Sequence, residues 1–188
     1  MKSILMRAFG RPQGILGRMG GAIMARTNRE IASRVVELLD VQPGDRVLEV
    51  GFGPGMAIQL IAAKLSSGKV TGIDRSEEMV KQAMARNAAG VESGRVELRL
   101  GSVEAMPFNN DTFDKALAVN SMQVWPDAVA GLREIWRVLK PRGTVALGFT
   151  PYSGQPKEGL TIALTTAGFA SVRMLDLDTN FCVLAVKP

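Results

Sequence analysis

Apolar positions change period several times along the chain, and each change marks a helix or a strand. From Thr27 the period is helical, with Ile31, Val35, Leu38 and Leu39 recurring on one face. Thr27 and Glu30 form a capping-box pair at its start, each side chain placed to satisfy a backbone N–H. Pro43-Gly44-Asp45 makes a turn, after which Arg46–Val50 reads as a strand. Met56–Ser66 is helical up to Gly68, and Lys69–Ile73 is again a strand. Ser76–Ala89 is a helix capped by Ser76, with Glu77 and Glu78 in its first turn and Gly90 at its end. Arg95–Leu100 and Phe113–Val119 are strands. Pro126–Leu139 is a helix that buries Val129, Leu132, Ile135, Trp136 and Leu139. Lys140–Gly143 breaks it before the strand Thr144–Phe149. Gln155–Ala167 is the last helix. The strands Ser171–Leu177 and Phe181–Val186 follow with no helix between them, so they pair antiparallel.

Five strands in β-α-β rhythm and a closing hairpin predict an α/β, Rossmann-like fold. Its seven-stranded sheet is mostly parallel, has helices on both faces and ends in a C-terminal antiparallel hairpin. Residues 27–188 read as one domain. Residues 1–26 differ from it in character. Lys2, Arg7, Arg11, Arg18 and Arg26 alternate with apolar residues and no acid intervenes. Gly10, Gly14, Gly17, Gly20 and Gly21 oppose one long helix there. This stretch reads as short helical pieces forming a basic lid, the alternative being a disordered tail.

Composition narrows the chemistry. The chain has no histidine, and Cys182 is its one cysteine. Imidazole bases, Ser-His and Cys-His nucleophiles, internal disulfides and soft zinc ligands are therefore excluded, and no metal site is expected. A net charge of +5 fits ordinary solubility better than commitment to nucleic acid. No apolar run reaches the roughly 18–20 residues of a membrane-spanning helix, and early arginines interrupt any secretory leader. The expected compartment is the cytoplasm.

The main chemical signal is Val47-Leu48-Glu49-Val50-Gly51-Phe52-Gly53-Pro54-Gly55, set where a strand turns into a helix. Glycines there permit unusual backbone angles and let a ligand approach the main chain. Met56 stands where a dinucleotide fingerprint needs its third glycine, and the Gly-Lys-Ser/Thr of a P-loop is absent. Glu49, two residues before the first glycine, suits a ligand with cationic or hydroxyl donors better than a pyrophosphate. Asp74 closes the next strand about twenty residues later, where an acid can accept both ribose hydroxyls.

With these motifs, Gly72-Ile73-Asp74-x-Ser76-x-x-Met79, Gly101–Phe108, Phe113-Asp114 and Leu132–Gly143 follow in order. Residues 28–188 thereby resemble the class I S-adenosylmethionine-dependent methyltransferases of small-molecule type (the methyltransferase type 11 domain), which include the ubiquinone/menaquinone C-methyltransferases. The resemblance implies S-adenosyl-L-methionine as cofactor. It implies that Glu49 and the turn Gly51, Phe52, Gly53 and Gly55 hold the amino-acid end, and that Asp74 grips the ribose. Arg75 lays its stem along the adenine, whose edge is lined by Ser102, Val103 and Glu104. Relatives carry an acid where Ser102 stands, so backbone groups or Glu104 would take over the adenine amino group. Asn120 would face the sulfonium and the acceptor, and Gln123 would offer the acceptor a hydrogen bond; these are the two candidate catalytic residues. The segment Asn120-Ser121-Met122-Gln123-Val124-Trp125, Tyr152 and the lid are expected to build the pocket of a small-molecule acceptor, walled by Met122 and Trp125, with lipid- or quinone-like acceptors among the candidates. A nucleic-acid acceptor is disfavoured by Asn120-Ser121-Met122-Gln123, which is not the Asn/Asp-Pro-Pro-Tyr used on exocyclic amines. Contact of the basic N-terminus with an anionic membrane is a further expectation. Two rival readings stay open at this point: a cofactor-binding regulatory protein and, less favoured, a nicotinamide-dependent oxidoreductase. The sequence assigns no oligomeric state.

Overall fold

A computed structural model describes residues 28–188. The capping-box residue Thr27 and the basic stretch 1–26 lie outside the described residues. Helix α1 covers residues 28–38, and Ile31, Val35 and Leu39 are buried as its period requires. Then come β1 (Arg46–Val50), α2 (Met56–Lys64), β2 (Lys69–Asp74), α3 (Glu77–Arg86), α4 (Ala88–Glu92) and β3 (Val96–Leu100). The second half contains β4 (Phe113–Val119), α5 (Ala128–Val138), β5 (Leu139–Phe149), α6 (Leu160–Thr166), β6 (Ala170–Leu177) and β7 (Asn180–Val186).

Among the described residues the strands form one seven-stranded sheet in the order β3-β2-β1-β4-β5-β7-β6. The first five are parallel, and β7 runs antiparallel to both β5 and β6. Adjacent residues of the central strands serve opposite faces. Val47 and Leu117 share a core with Val35 of α1 and with Ile58 and Ile61 of α2. Leu48, Val50, Ala116 and Ala118 share the other with Leu132 and Ile135 of α5 and Leu164 of α6. Both faces being covered explains why β1 and β4 read as nearly continuous apolar runs. No helix among the described residues is long and apolar enough to cross a membrane.

Most boundaries fall within two residues of the sequence expectation, and three regions differ by more. The helix expected over Ser76–Ala89 is split at Asn87, and Gly90 lies inside α4 instead of ending α3. The buried Asn87 amide donates to the carbonyls of Ala83 and, across to the glycine turn, Gly55, which holds the chain out of helical geometry. The helix expected from Gln155 begins only at Leu160, because Gly154 and Gly159 adopt left-handed angles around Pro156. Lys140–Gly143 is not a loop. β5 starts at Leu139, opposite Phe113, and a register shift between Phe113 and Lys115 absorbs the irregularity, with Arg142 at φ 67°.

The topology fixes where a ligand goes. From β1 the chain runs outward through β2 and β3, then returns to place β4 on the other side of β1. The carboxyl ends of β1 and β4 thus border the switch point of the sheet, where open α/β folds have their crevice.

Candidate functional site

A cleft of about 200 Å³ occupies that switch point. The turn after β1 forms one side of it. Gly51 has φ 72°, and a Cβ there would lie 2.5 Å from Ser121 Cβ, so both backbone and neighbour demand glycine. The Gly51 N–H donates to the Ile73 carbonyl and the Ser121 hydroxyl donates to the Val50 carbonyl, each at 2.8 Å. These bonds sew the turn to β2 on one side and to the segment after β4 on the other. At Gly53 no atom of a described residue beyond its chain neighbours stands within 4 Å of where a Cβ would be, which leaves the main chain open to a ligand. Gly55 serves packing instead: Asn87 Nδ2 and Ala83 Cβ stand 2.6 and 2.8 Å from its virtual Cβ, so α3 closes directly on the turn.

Asp74 ends β2. Its Oδ2 accepts the Gly53 N–H and its Oδ1 accepts the Ser76 N–H, both at 2.9 Å. The carboxylate and the glycine turn therefore touch directly, and each carboxylate oxygen keeps a lone pair for a hydroxyl. Burial raises its pKa above the ordinary carboxylate range, against the opposing pull of the Ser76 and Gly53 N–H groups. Glu49, in phase with Val47, turns toward α2 and is buried. Its Oε2 has no hydrogen-bond partner among the described residues. Burial, and then the charge of Asp74, push its pKa up to about 8. A buried, unpaired carboxyl next to a second acid is stabilised by a cationic group such as an ammonium. The open Gly53 backbone, the Asp74 acceptors and the orphaned Glu49 together fit a ligand with hydroxyls at one place and an ammonium at another, as S-adenosylmethionine has.

The far side of the cleft is built after β3 and β4. Ser102 Oγ accepts the Glu104 N–H at 3.3 Å, and Glu104 Oε1 accepts the Asp127 N–H at 2.9 Å. Glu104 thus fixes the approach to α5, whose first turn Asp127 caps through the Ala130 N–H. Arg137 and Glu134 on the same helix hold the following loop. Arg137 donates to the carbonyls of Met106 and Phe108 at 3.0 and 2.7 Å, and Glu134 accepts the Met106 N–H at 3.0 Å. The hydrogen bond from Arg137 lowers the Glu134 pKa, outweighing burial.

Asn120 ends β4 in a left-handed conformation, φ 48°. Its Oδ1 accepts the Thr150 N–H at 2.8 Å and its Nδ2 donates to Asn28 Oδ1 at 2.7 Å. The amide thus joins the start of α1 to the ends of β4 and β5. Gln123 Nε2 donates to the Asn120 carbonyl at 2.8 Å, while its buried Oε1 has no partner among the described residues.

Seven of the residues expected to hold the cofactor line this one cleft. Gly51, Gly53 and Asp74 meet Arg75, Ser102, Val103 and Asn120 there. Glu49, Phe52, Gly55, Glu104 and Gln123 are outside its lining. Phe52 is buried against the Gly72 backbone. Of the residues expected around the acceptor, Ser121, Val124 and Trp125 line the cleft, Met122 fills the core and Tyr152 is exposed. Sequence reading missed Val50, Ile73, Gly101 and Pro126 in the lining. Each of these adjoins a residue it did single out, and the end of a strand beside a motif is the signal that finds them.

Residues 47–143 match the family described as "Methyltransferase domain". The chain is 32% identical over 182 residues to the uncharacterized methyltransferase YdaC of Bacillus subtilis, a match that spans 90% of this chain and 98% of that protein. It is 35% identical over 113 residues to the ubiquinone/menaquinone biosynthesis C-methyltransferase UbiE of Geotalea daltonii, covering 60% of this chain but only 48% of that one. In fold it is similar to the crystal structure of a SAM dependent methyltransferase from Aquifex aeolicus, with a TM-score of 0.76, 23% identity and coverage of 84% and 89% of the two chains. These matches show the family: the chain belongs to the class I S-adenosylmethionine-dependent methyltransferases.

Proposed function

We propose that this enzyme methylates a small-molecule acceptor that brings its own nucleophile, a lipid- or quinone-like phenol or enol foremost. The observation that carries the reading is the cleft itself. Asp74 lines it beside the open Gly53 backbone, with Glu49 buried behind the turn, and with no histidine in the chain there is no imidazole to deprotonate an acceptor. The cofactor supplies a methyl group on a sulfonium, ready for in-line displacement. The chain's own task is to orient and to exclude water. In this reading Glu49 and Gly51–Gly55 take the amino-acid end, the turn through its backbone. Asp74 accepts the ribose hydroxyls. Arg75, Ser102 and Val103 flank the adenine, with Glu104 holding that segment in place. Asn120 and Gln123 stand at the acceptor end, where Asn120 positions the strand ends and Gln123 offers its unpaired oxygen to an acceptor donor.

The apolar rim also favours a lipophilic acceptor. Val124 and Tyr152 are exposed beyond the ends of β4 and β5. At about 200 Å³ the cleft is below the roughly 300–1,000 Å³ of most ligand sites. The remaining enclosure is assigned to residues 1–26 as a lid, since α1 joins the domain at Asn28, beside Asn120. Their basic residues would also hold the enzyme at an anionic surface, each contributing about 1 kcal/mol. The similarity to a quinone methyltransferase agrees with this. The test is release of S-adenosylhomocysteine from the enzyme with a demethylated quinol in anionic vesicles, the same quinol in neutral vesicles, and soluble phenols, amines and thiols. Turnover highest with the quinol in anionic vesicles is expected. Turnover with soluble amines or thiols alone would remove the lipid assignment, and none with any acceptor or with a cell extract would leave a cofactor-binding protein.

A further inference from the structure

α5 has a glycine in its buried face, Gly131, where alanine would make a stronger helix. Its neighbours give the reason. A Cβ at Gly131 would lie 2.8 Å from Trp125 Cε3, 3.2 Å from Trp125 Cζ3 and 3.2 Å from Val103 Cγ1. The missing methyl is thus a notch that receives the six-membered ring of Trp125 and the edge of Val103 together. Both side chains line the cleft. The indole stands next to Val103, on the side given above to adenine.

We propose that Gly131 is a specificity-determining residue of the cofactor cleft: by letting Trp125 lie back against α5, it holds open a flat slot beside Val103 that admits the purine ring. This rests on the placement of adenine at Ser102 and Val103. A methyl at 131 cannot coexist with the present ring position. The ring is packed against α5 on one side and borders the cleft on the other, so it is displaced into the slot. The glycine and the tryptophan are therefore one device, and neither is neutral without the other.

The coupling is measurable by calorimetric binding of S-adenosylhomocysteine to four full-length proteins: the parent, Gly131→Ala, Trp125→Leu and the double variant. Gly131→Ala should bind about tenfold more weakly than the parent, in line with a lost aromatic slot for a purine. In the Trp125→Leu background the same change should alter affinity by less than about twofold, because no ring remains to be displaced. Gly131→Ala that binds like the parent, or that weakens binding equally in both backgrounds, overturns the inference. Should Gly131→Ala fail to fold, the double variant decides: it must fold and bind like Trp125→Leu, and failure to do so rejects the notch. A parent protein that does not bind S-adenosylhomocysteine would instead refute the cofactor placement on which the inference stands.

Discussion

At the amino ends of the strands, acids and cations are matched. Asp114, at the start of β4, accepts the Arg46 N–H at 2.8 Å and the Lys140 ammonium at 2.6 Å. Burial pushes its pKa up, yet these partners win and hold it below the ordinary range. Lys187, buried at the end of β7, donates to Asp111 and to the Leu139 carbonyl at 2.7 Å each and lies over the Trp136 ring. At the carboxyl ends the opposite holds. Neither Glu49 nor Asp74 forms a salt bridge with a described residue, and both titrate upward. One end of the sheet uses its charges to hold the fold. The other keeps acids with no salt-bridged cation among the described residues to compensate them, at a cost to stability.

The sharpest way to break this contrast is Asp74→Ala. It removes two charge-assisted acceptors, and S-adenosylhomocysteine affinity should fall about 100-fold by calorimetry. Unchanged affinity would mean the carboxyl end is not the ligand end. Glu49→Gln comes next and tests the stability cost. A folded pKa of about 8 against an ordinary 4.5 means the folded chain holds the proton more tightly. That contribution is complete below the ordinary value and drains away as pH rises to about 8. The parent should therefore lose melting temperature between about pH 5 and about pH 9, while Glu49→Gln loses less and melts several degrees higher than the parent at the alkaline end. The same variant should bind S-adenosylhomocysteine more weakly.

Arg137→Ala sharpens the comparison from the supporting side. It strips partners from the Met106 and Phe108 carbonyls and should cost about 1–3 kcal/mol in urea unfolding, with a several-fold loss of cofactor affinity as the loop behind Val103 loosens. Lys140→Ala should have the smallest effect, within about 1 kcal/mol, because the pair is partly exposed. Asp114 has a lowered folded pKa, so its stabilisation is present above the ordinary carboxylate value and fades as pH falls through the folded one. The gap between Lys140→Ala and the parent should close in acid. An altered cofactor affinity in Lys140→Ala would erase the distinction between the two ends.

The layout of helices and strands was legible because each element carries a local signal. Alternating or continuous apolar runs name the strands, Ser76 caps its helix through its side chain, and the glycine turn with Asp74 names the switch point. What escapes such reading depends on partners far away in the chain. The break in α3 comes from Asn87 reaching back across 32 residues to Gly55, and the role of Gly55 comes from Ala83 and Asn87. In the sequence Asn120 reads as a group facing the reacting centre. Its amide is committed to Asn28 and Thr150, 92 and 30 residues away, a use no local pattern reveals. Met122 and Trp125 lie three residues apart and read alike as acceptor walls, yet one is core and the other borders the cleft. Only the 3-10 turn Met122–Val124 separates their directions.

The hydrogen bond from Asn120 to Asn28 spans 92 residues of chain and ties the corner of the crevice to the place of α1 on the sheet. A change confined to the buried face of α1, such as one at Ile31 or Val35, therefore reaches the strand ends through that bond, although neither residue lines the cleft.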